Sequence, residues 1–204
     1  MAISDWQAKR RSAARQEIVD AAWSLAREHG LAGLSLRDVA RHVGMAAPSL
    51  YSYFDSKNAL FDAMFADGNR AILAMEWPKA GKDVRGTLRN TIGFFVRQAV
   101  ADPVRHQLLA ERTIPGFAPS EESYALAGQV YGLLTRPLEE VANPSQDDLD
   151  LITTVITGLI NQHLANDPGG SRWVRLIDDA ADLLVPRLEA RAKPTTRRRR
   201  QAMS

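Results

Sequence analysis

Gly33-Leu34-Ser35-Leu36-Arg37-Asp38-Val39-Ala40-Arg41-His42-Val43-Gly44-Met45-Ala46-Ala47-Pro48-Ser49-Leu50-Tyr51-Ser52-Tyr53-Phe54 carries more structural information than any other part of this chain. Ser35 and Asp38 stand at capping-box spacing, where a hydroxyl and a carboxylate each satisfy a backbone N–H lacking an intrahelical partner. The helix they open presents Leu36, Val39, Ala40 and Val43 to one side and ends at Gly44. A second, short helix is predicted from Ala47 to Phe54, with Pro48 tolerated in its first turn. Leu50 and Phe54, four apart, anchor that helix. Ala47, Pro48, Ser49, Tyr51 and Ser52 are left wholly or partly outward. This is helix-turn-helix anatomy, although an ordinary helical hairpin of a bundle has the same pattern. A helix so short is not stable alone and must be held by its neighbours.

On both sides of this segment the pattern stays helical. Arg15–His29 carries Ile18, Ala22 and Leu25 at helical spacing and stops at Gly30. Asp55 or Ser56 opens a helix through Leu60, Phe61 and Met64 toward Ala74. Further helices are predicted at 83–101, 104–112, 120–142, 146–166 and 172–190, and Ser145 with Asp148 forms a second capping box. Thr113–Pro119 and Asn166–Gly170 read as loops, and no alternating strand pattern or internal repeat is present. The fold class is therefore all-α. Lys193–Ser204, with its Arg197–Arg200 run, reads as a disordered tail.

The 204 residues are 45% apolar and 25% charged, which excludes wholesale disorder. The absence of cysteine removes disulfides, thiolate catalysis and thiolate metal sites, and suits a reducing compartment. No apolar stretch approaches the ~18 residues that span a bilayer, and the polar start of the chain lacks a secretory signal. The expected location is cytoplasmic, with no membrane partner. A net charge of +2 conceals segregation: residues 1–65 carry +1, residues 66–190 carry −5, and residues 191–204 carry +6. Basicity alone thus argues little for a nucleic-acid partner.

From Gly33-Leu34-Ser35 through Val39-Ala40, Val43-Gly44 and Pro48-Ser49-Leu50-Tyr51-Ser52-Tyr53-Phe54-Asp55-Ser56-Lys57, the chain closely resembles the DNA-binding domain of the tetracycline-repressor (TetR) family. The likeness reaches back to Ile18, Ala22 and Gly30 and covers about residues 15–65. It implies a three-helix helix-turn-helix domain followed by a larger helical domain for effector binding and dimerisation. The boundaries expected are a basic N-terminal arm at 1–14, the DNA-binding domain at 15–65, the effector and dimer domain at 66–191, and a basic tail at 192–204. By position, the resemblance assigns base or adjoining backbone contacts to Arg37, Ala47, Pro48 and Tyr51, and phosphate contacts to Ser49, Tyr53 and Lys57. Lys57 also stands at a helix N-terminus, where an anion is favoured. The family often has Ser or Thr where this chain has Ala46, which puts one cap or phosphate contact in doubt. Lys9, Arg10, Arg11 and Arg15 read either as an arm reaching along DNA or as a solvated terminus.

The helix at 146–166 is apolar on more than one face, which suggests burial both inside a subunit and between two. With the resemblance, Ile152, Ile156, Leu159, His163, Trp173, Ile177 and Leu184 become candidates for a four-helix homodimer interface, and His163 is expected to be hydrogen-bonded. A single monomeric core is the competing reading. Trp77, Phe94, Phe95, Phe117, Tyr124 and Tyr131 fall on elements that line the family's effector cavity, although aromatics at such spacing commonly form core. The four histidines are scattered without zinc-ligand spacing, and neither a nucleophile elbow nor a phosphate loop occurs. No catalytic residue, metal or cofactor is expected. The reading is a homodimeric repressor that binds a palindromic double-stranded DNA operator and is released by a small apolar effector. An activator, or a small-molecule- or partner-binding protein with a vestigial DNA module, remains open.

Overall fold

The computed structural model describes residues 2–191, and the side-chain surroundings from Trp6 onward. The expected tail at 192–204, including Arg197–Arg200, lies outside the described residues. The described residues form nine α-helices and a 3-10 turn, with no strand among them. They divide into two compact units, residues 2–75 with 104–129, and residues 76–103 with 130–191.

The first unit contains α1 (Ala2–Gly33), α2 (Leu36–His42), α3 (Ala47–Tyr51) and α4 (Lys57–Leu73). It also holds most of α6 (Pro103–Ala110) and the start of α7 (Glu121–Val141). The expected start of the first helix at Arg15 is corrected, because α1 begins at Ala2. Residues 2–14 contain no Gly or Pro and are rich in good helix formers, so nothing local stops the helix from extending backward. The expected stop at Gly30 is present as a break within α1: Gly30 sits at φ 76°, a left-handed conformation that glycine adopts without steric cost, and the residues from Leu31 to Gly33 follow beyond it. The short helix is also corrected, ending at Tyr51 rather than Phe54, with Ser52 and Tyr53 turning the chain. Ile18, Ala22, Leu50, Phe54, Leu60 and Met64 are at most 1% exposed and bury α3 among α1, α2 and α4. Trp23 donates its indole N–H to Asp67 at 2.9 Å, and Gln16 donates to the other oxygen of that carboxylate, also at 2.9 Å, tying α1 to α4.

In the second unit α5 (Val84–Ala101) packs on α8 (Gln146–Asn166) and on α9 (Ile177–Glu189), which follows a 3-10 turn at Val174–Leu176. Leu88, Ile92 and Val96 of α5 meet Ile152, Ile156 and Ile160 of α8 and Ala181, Leu184 and Leu188 of α9 in one core. Two ion pairs set α5 antiparallel to α9. Arg85 holds Asp182 bidentately, one bond being 2.8 Å, and Arg89 meets Asp178 at 2.6 Å. The box at Ser145 and Asp148 is present in both halves. Asp148 is also gripped by Arg187 and Arg191, so one buried carboxylate joins the start of α8 to the end of α9. Burial pushes that carboxyl up, but Arg187, Ser145 and Arg191 outweigh it and hold its pKa at about 2.

Candidate nucleic-acid interface

Ser35 caps α2 by accepting from the Asp38 N–H at 3.2 Å. The expected reciprocal half of this box is corrected. The Asp38 carboxylate takes the Ser35 hydroxyl and the Arg41 guanidinium rather than a backbone N–H. Gly44, at φ 69°, turns the chain, and the Met45 N–H returns to the Ala40 carbonyl at 2.8 Å. The turn thus delivers α3 with Leu50 fully buried and Phe54 only 1% exposed beneath it. Because the inward positions are taken, the rest must face out. Pro48, Ser49 and Tyr51 are exposed, Tyr51 to 53%, while Ala47 and Tyr53 are half-buried. Arg37 is exposed on the first turn of α2 and has no hydrogen-bond or ion-pair partner among the described residues. The start of α3 has no side-chain cap, since Ala46 offers no oxygen.

Lys57 is placed differently from a free ammonium at a helix start. Its Nζ donates to the Ala32 carbonyl at 3.2 Å and lies 5.3 Å from the centroid of the Phe61 ring. One of its three donors is therefore committed inside the unit, and two remain.

Sequence reasoning missed how the carboxyl end of α3 is held. Arg11 donates to the Ser52 carbonyl at 2.9 Å and Arg15 to the Tyr53 carbonyl at 2.8 Å. Their guanidinium groups lie over the rings of Tyr53 and Phe54, at 5.5 and 4.2 Å from the centroids. Carbonyls past the last helical turn lack intrahelical donors and carry the negative end of the helix dipole, so cations belong there. The spacing of Arg11 and Arg15, one helical turn apart, was the available signal. It was unreadable without knowing that α1 continues past Arg15 toward the chain start.

The remaining candidates fall into separate places. In the second unit Trp77 stacks on Phe94, with centroids 4.4 Å apart, and Phe95 lies edge-on to both at 5.6 and 5.7 Å. Phe117 belongs instead to the first unit, against Phe61 and Phe65. Tyr124 is 56% exposed, and the Tyr131 hydroxyl accepts from Gln146 at 3.2 Å. The dimer candidates Ile152, Ile156, Ile177 and Leu184 are at most 6% exposed and lie in the core of their own unit. Leu159, packed against that core, and Trp173 are half-buried. The expectation of a hydrogen-bonded His163 is corrected: the ring is 1% exposed, yet neither nitrogen has a partner among the described residues.

Known proteins resemble this chain. Residues 18–64 match the family described as bacterial regulatory proteins, tetR family. An HTH-type transcriptional regulator of Mycobacterium tuberculosis is 32% identical over 139 residues, 61% of this chain and 56% of that protein. The class D tetracycline repressor protein of Escherichia coli is 34% identical over 83 residues, 41% of this chain and 38% of its own length. The chain thus spans about half the length of the mycobacterial relative. A TetR family transcription regulator of Marinobacter aquaeolei shares the fold, with a TM-score of 0.63 at 18% identity over 91% of this chain and 99% of that one. The matched residues 18–64 contain the buried Leu50–Phe54 anchor, the Gly44 turn and the outward α3 described above. Residues 18–64 thus form a domain that matches the tetR family of bacterial regulatory proteins.

Proposed function

We propose that the chain is a transcriptional repressor that binds a palindromic double-stranded DNA operator as a homodimer and is released by a small apolar effector. The observation that carries the reading is α3 itself. Leu50 of α3 and Phe54 just beyond its end are sealed below, and Pro48, Ser49 and Tyr51 are presented outward. A short helix with small side chains approaches a major groove closely, and Arg37 on the supporting helix supplies a planar fork for a guanine edge. A two-fold dimer sets one such helix on each half-site, so the symmetry of the operator follows from that of the protein.

For the second copy, the core-facing stripe of α8 and α9 is already occupied inside the subunit. The outer face is available: Leu183 is 80% exposed, Leu151 is 38% exposed, and Gly158 has open space around its Cβ position. We assign the dimer contact to that face. The Trp77–Phe94–Phe95 cluster is where an apolar effector would act. It releases DNA only through its differential affinity for the conformer whose recognition helices are wrongly spaced.

The test is to retain genomic fragments on the purified protein, sequence them, and measure affinity for the recovered duplex and for random DNA across a salt series. The expected result is one palindromic motif bound with at least ~10³-fold preference. Equal affinity for random DNA at every salt concentration would leave only a vestigial DNA module.

A further inference from the structure

Arg85, Arg89, Gly93 and Arg97 recur every fourth residue on one face of α5. The first two meet Asp182 and Asp178, themselves four apart on the antiparallel α9. Continuing that register brings α5 opposite Val174 and then Gly170, so the ladder of ion pairs runs out of carboxylates while its arginines continue. Arg97 has no hydrogen-bond or ion-pair partner among the described residues. Its guanidinium folds back over Gly93, where a Cβ would stand 2.8 Å from Nη1, so the missing side chain at 93 is what leaves it room. Arg175, which lines the same cleft, engages only the Arg172 carbonyl with its side chain, at 3.3 Å.

These groups line one open cleft of about 350 Å³ within the second unit. Arg89, Arg97 and Arg175 bring three positive charges to it and Asp178 brings one negative charge, leaving two cations uncompensated. The rest of its wall is not uniformly polar, since Val174 and Ile177 supply an apolar side and Asn90 an amide. Residues 66–190 carry a net charge of −5, so this concentration of unpaired cations runs against its surroundings. Guanidinium groups bind carboxylates and phosphates through paired N–H bonds, and two of them lining one cleft favour such an anion over a neutral ligand.

We propose that the cleft between α5 and the 3-10 turn leading into α9 binds a small organic oxyanion, a carboxylate or phosphate ester. Arg97 and Arg175 hold the charged group, and the apolar body of the ligand rests on Val174 and Ile177. The site is separate from the Trp77–Phe94–Phe95 cluster, and its failure leaves the DNA-binding reading untouched.

The test is calorimetric titration of the full chain with phenyl phosphate, benzoate, inorganic phosphate and benzyl alcohol, at low salt and at about 0.3 M salt. Phenyl phosphate or benzoate is expected to bind, inorganic phosphate more weakly, and benzyl alcohol not at all. Arg97→Ala should weaken the preferred anion at least roughly tenfold, while Arg136→Ala, an exposed arginine of α7, changes nothing. Gly93→Ala keeps every charge but takes the space of the Arg97 guanidinium, and should weaken binding as well. Thermal melts of each variant establish that it is folded. Undiminished binding by folded Arg97→Ala overturns the proposal, as does the absence of binding by every anion. Weak binding of all anions alike that vanishes at the higher salt marks a diffuse cationic surface and overturns it too. So does an Arg97→Ala variant that changes oligomeric state while binding the probes normally, since the cleft would then be an interface between copies.

Discussion

Three basic side chains of the first unit have different surroundings and should respond differently to removal. Arg37 is exposed and unpartnered among the described residues, Lys57 is partly engaged by the Ala32 carbonyl, and Arg15 is committed to the Tyr53 carbonyl and the Phe54 ring. Arg37→Ala should cost ~1–3 kcal/mol on the cognate duplex and less on one altered at the contacted base pair. Lys57→Ala should weaken every duplex and lower the slope of log K against log salt by about 0.9 per lost phosphate contact. Arg15→Ala should weaken all duplexes with the salt slope unchanged, because it steadies α3 without touching a phosphate. A reduced slope for Arg15→Ala would make it a phosphate contact instead. A single set of anisotropy titrations across salt separates the three. Asp148 gives a pH prediction. Its folded pKa of about 2 lies below the ordinary 3.8, so its contribution is fully present above pH ~4. That contribution is lost as pH falls from there through about 2. Asp148→Asn should lower stability by about 2 kcal/mol at neutral pH and flatten the acid limb of urea-melt stabilities. An unchanged acid limb would show that other carboxyls govern it.

At the scale of elements, α8 and α9 each have a face inside the subunit and a face outside it. Ile156 is 5% exposed in the core, whereas Leu183 is 80% exposed on the outer side of α9. An unpaired carboxylate in a core is several kcal/mol unfavourable, so Ile156→Asp should fail to fold at all. Leu183→Asp should keep the monomer's helical signal and melting temperature while shifting sedimentation toward monomer. A Leu183→Asp variant that stays dimeric would move the contact to another face. The short helix α3 depends on its surroundings in the opposite way. Five residues from Ala47 to Tyr51 cannot sustain a helix, and α3 exists because Leu50 and Phe54 are buried beneath it and Arg11 and Arg15 hold its end. Phe54→Ala should therefore cost about 3–5 kcal/mol of stability and abolish DNA binding at temperatures where the rest of the protein remains helical.

At the scale of the whole molecule, charge is segregated along the sequence: residues 1–65 are near neutral, residues 66–190 are acidic and residues 191–204 are strongly basic. Residues 191–204 carry six cations and no anion. Deleting residues 193–204 should lower affinity for specific and random duplexes by similar factors and flatten the salt dependence, since unpatterned cations add counterion release without base reading. If the deletion instead removed discrimination between the two duplexes, the end of the chain would take part in sequence recognition.

What the sequence determined by itself is local. The caps at Ser35 and Ser145, the breaks at Gly30 and Gly44, and the inward placement of Leu50 and Phe54 depend on residues within a few positions of one another and are legible in the sequence, whereas the next cap stays open there between Asp55 and Ser56 and the structure takes Ser56. The two helices and the turn between them were legible for the same reason, but an ordinary helical hairpin has the same pattern, and only the family resemblance singled out a helix-turn-helix. Other features were decided only when distant segments met. Arg15 and Tyr53 are 38 positions apart, Arg187 and Asp148 are 39 apart, and Arg85 and Asp182 are 97 apart. A charge has no intrinsic direction along the chain, so whether an arginine meets a carbonyl, a carboxylate or open solvent depends on what folding brings across from it. The same holds for apolar stripes. Ile152 and Ile156 looked suited to either a core or a dimer seam, and the packing of α5 against α8 and α9 placed them in the core.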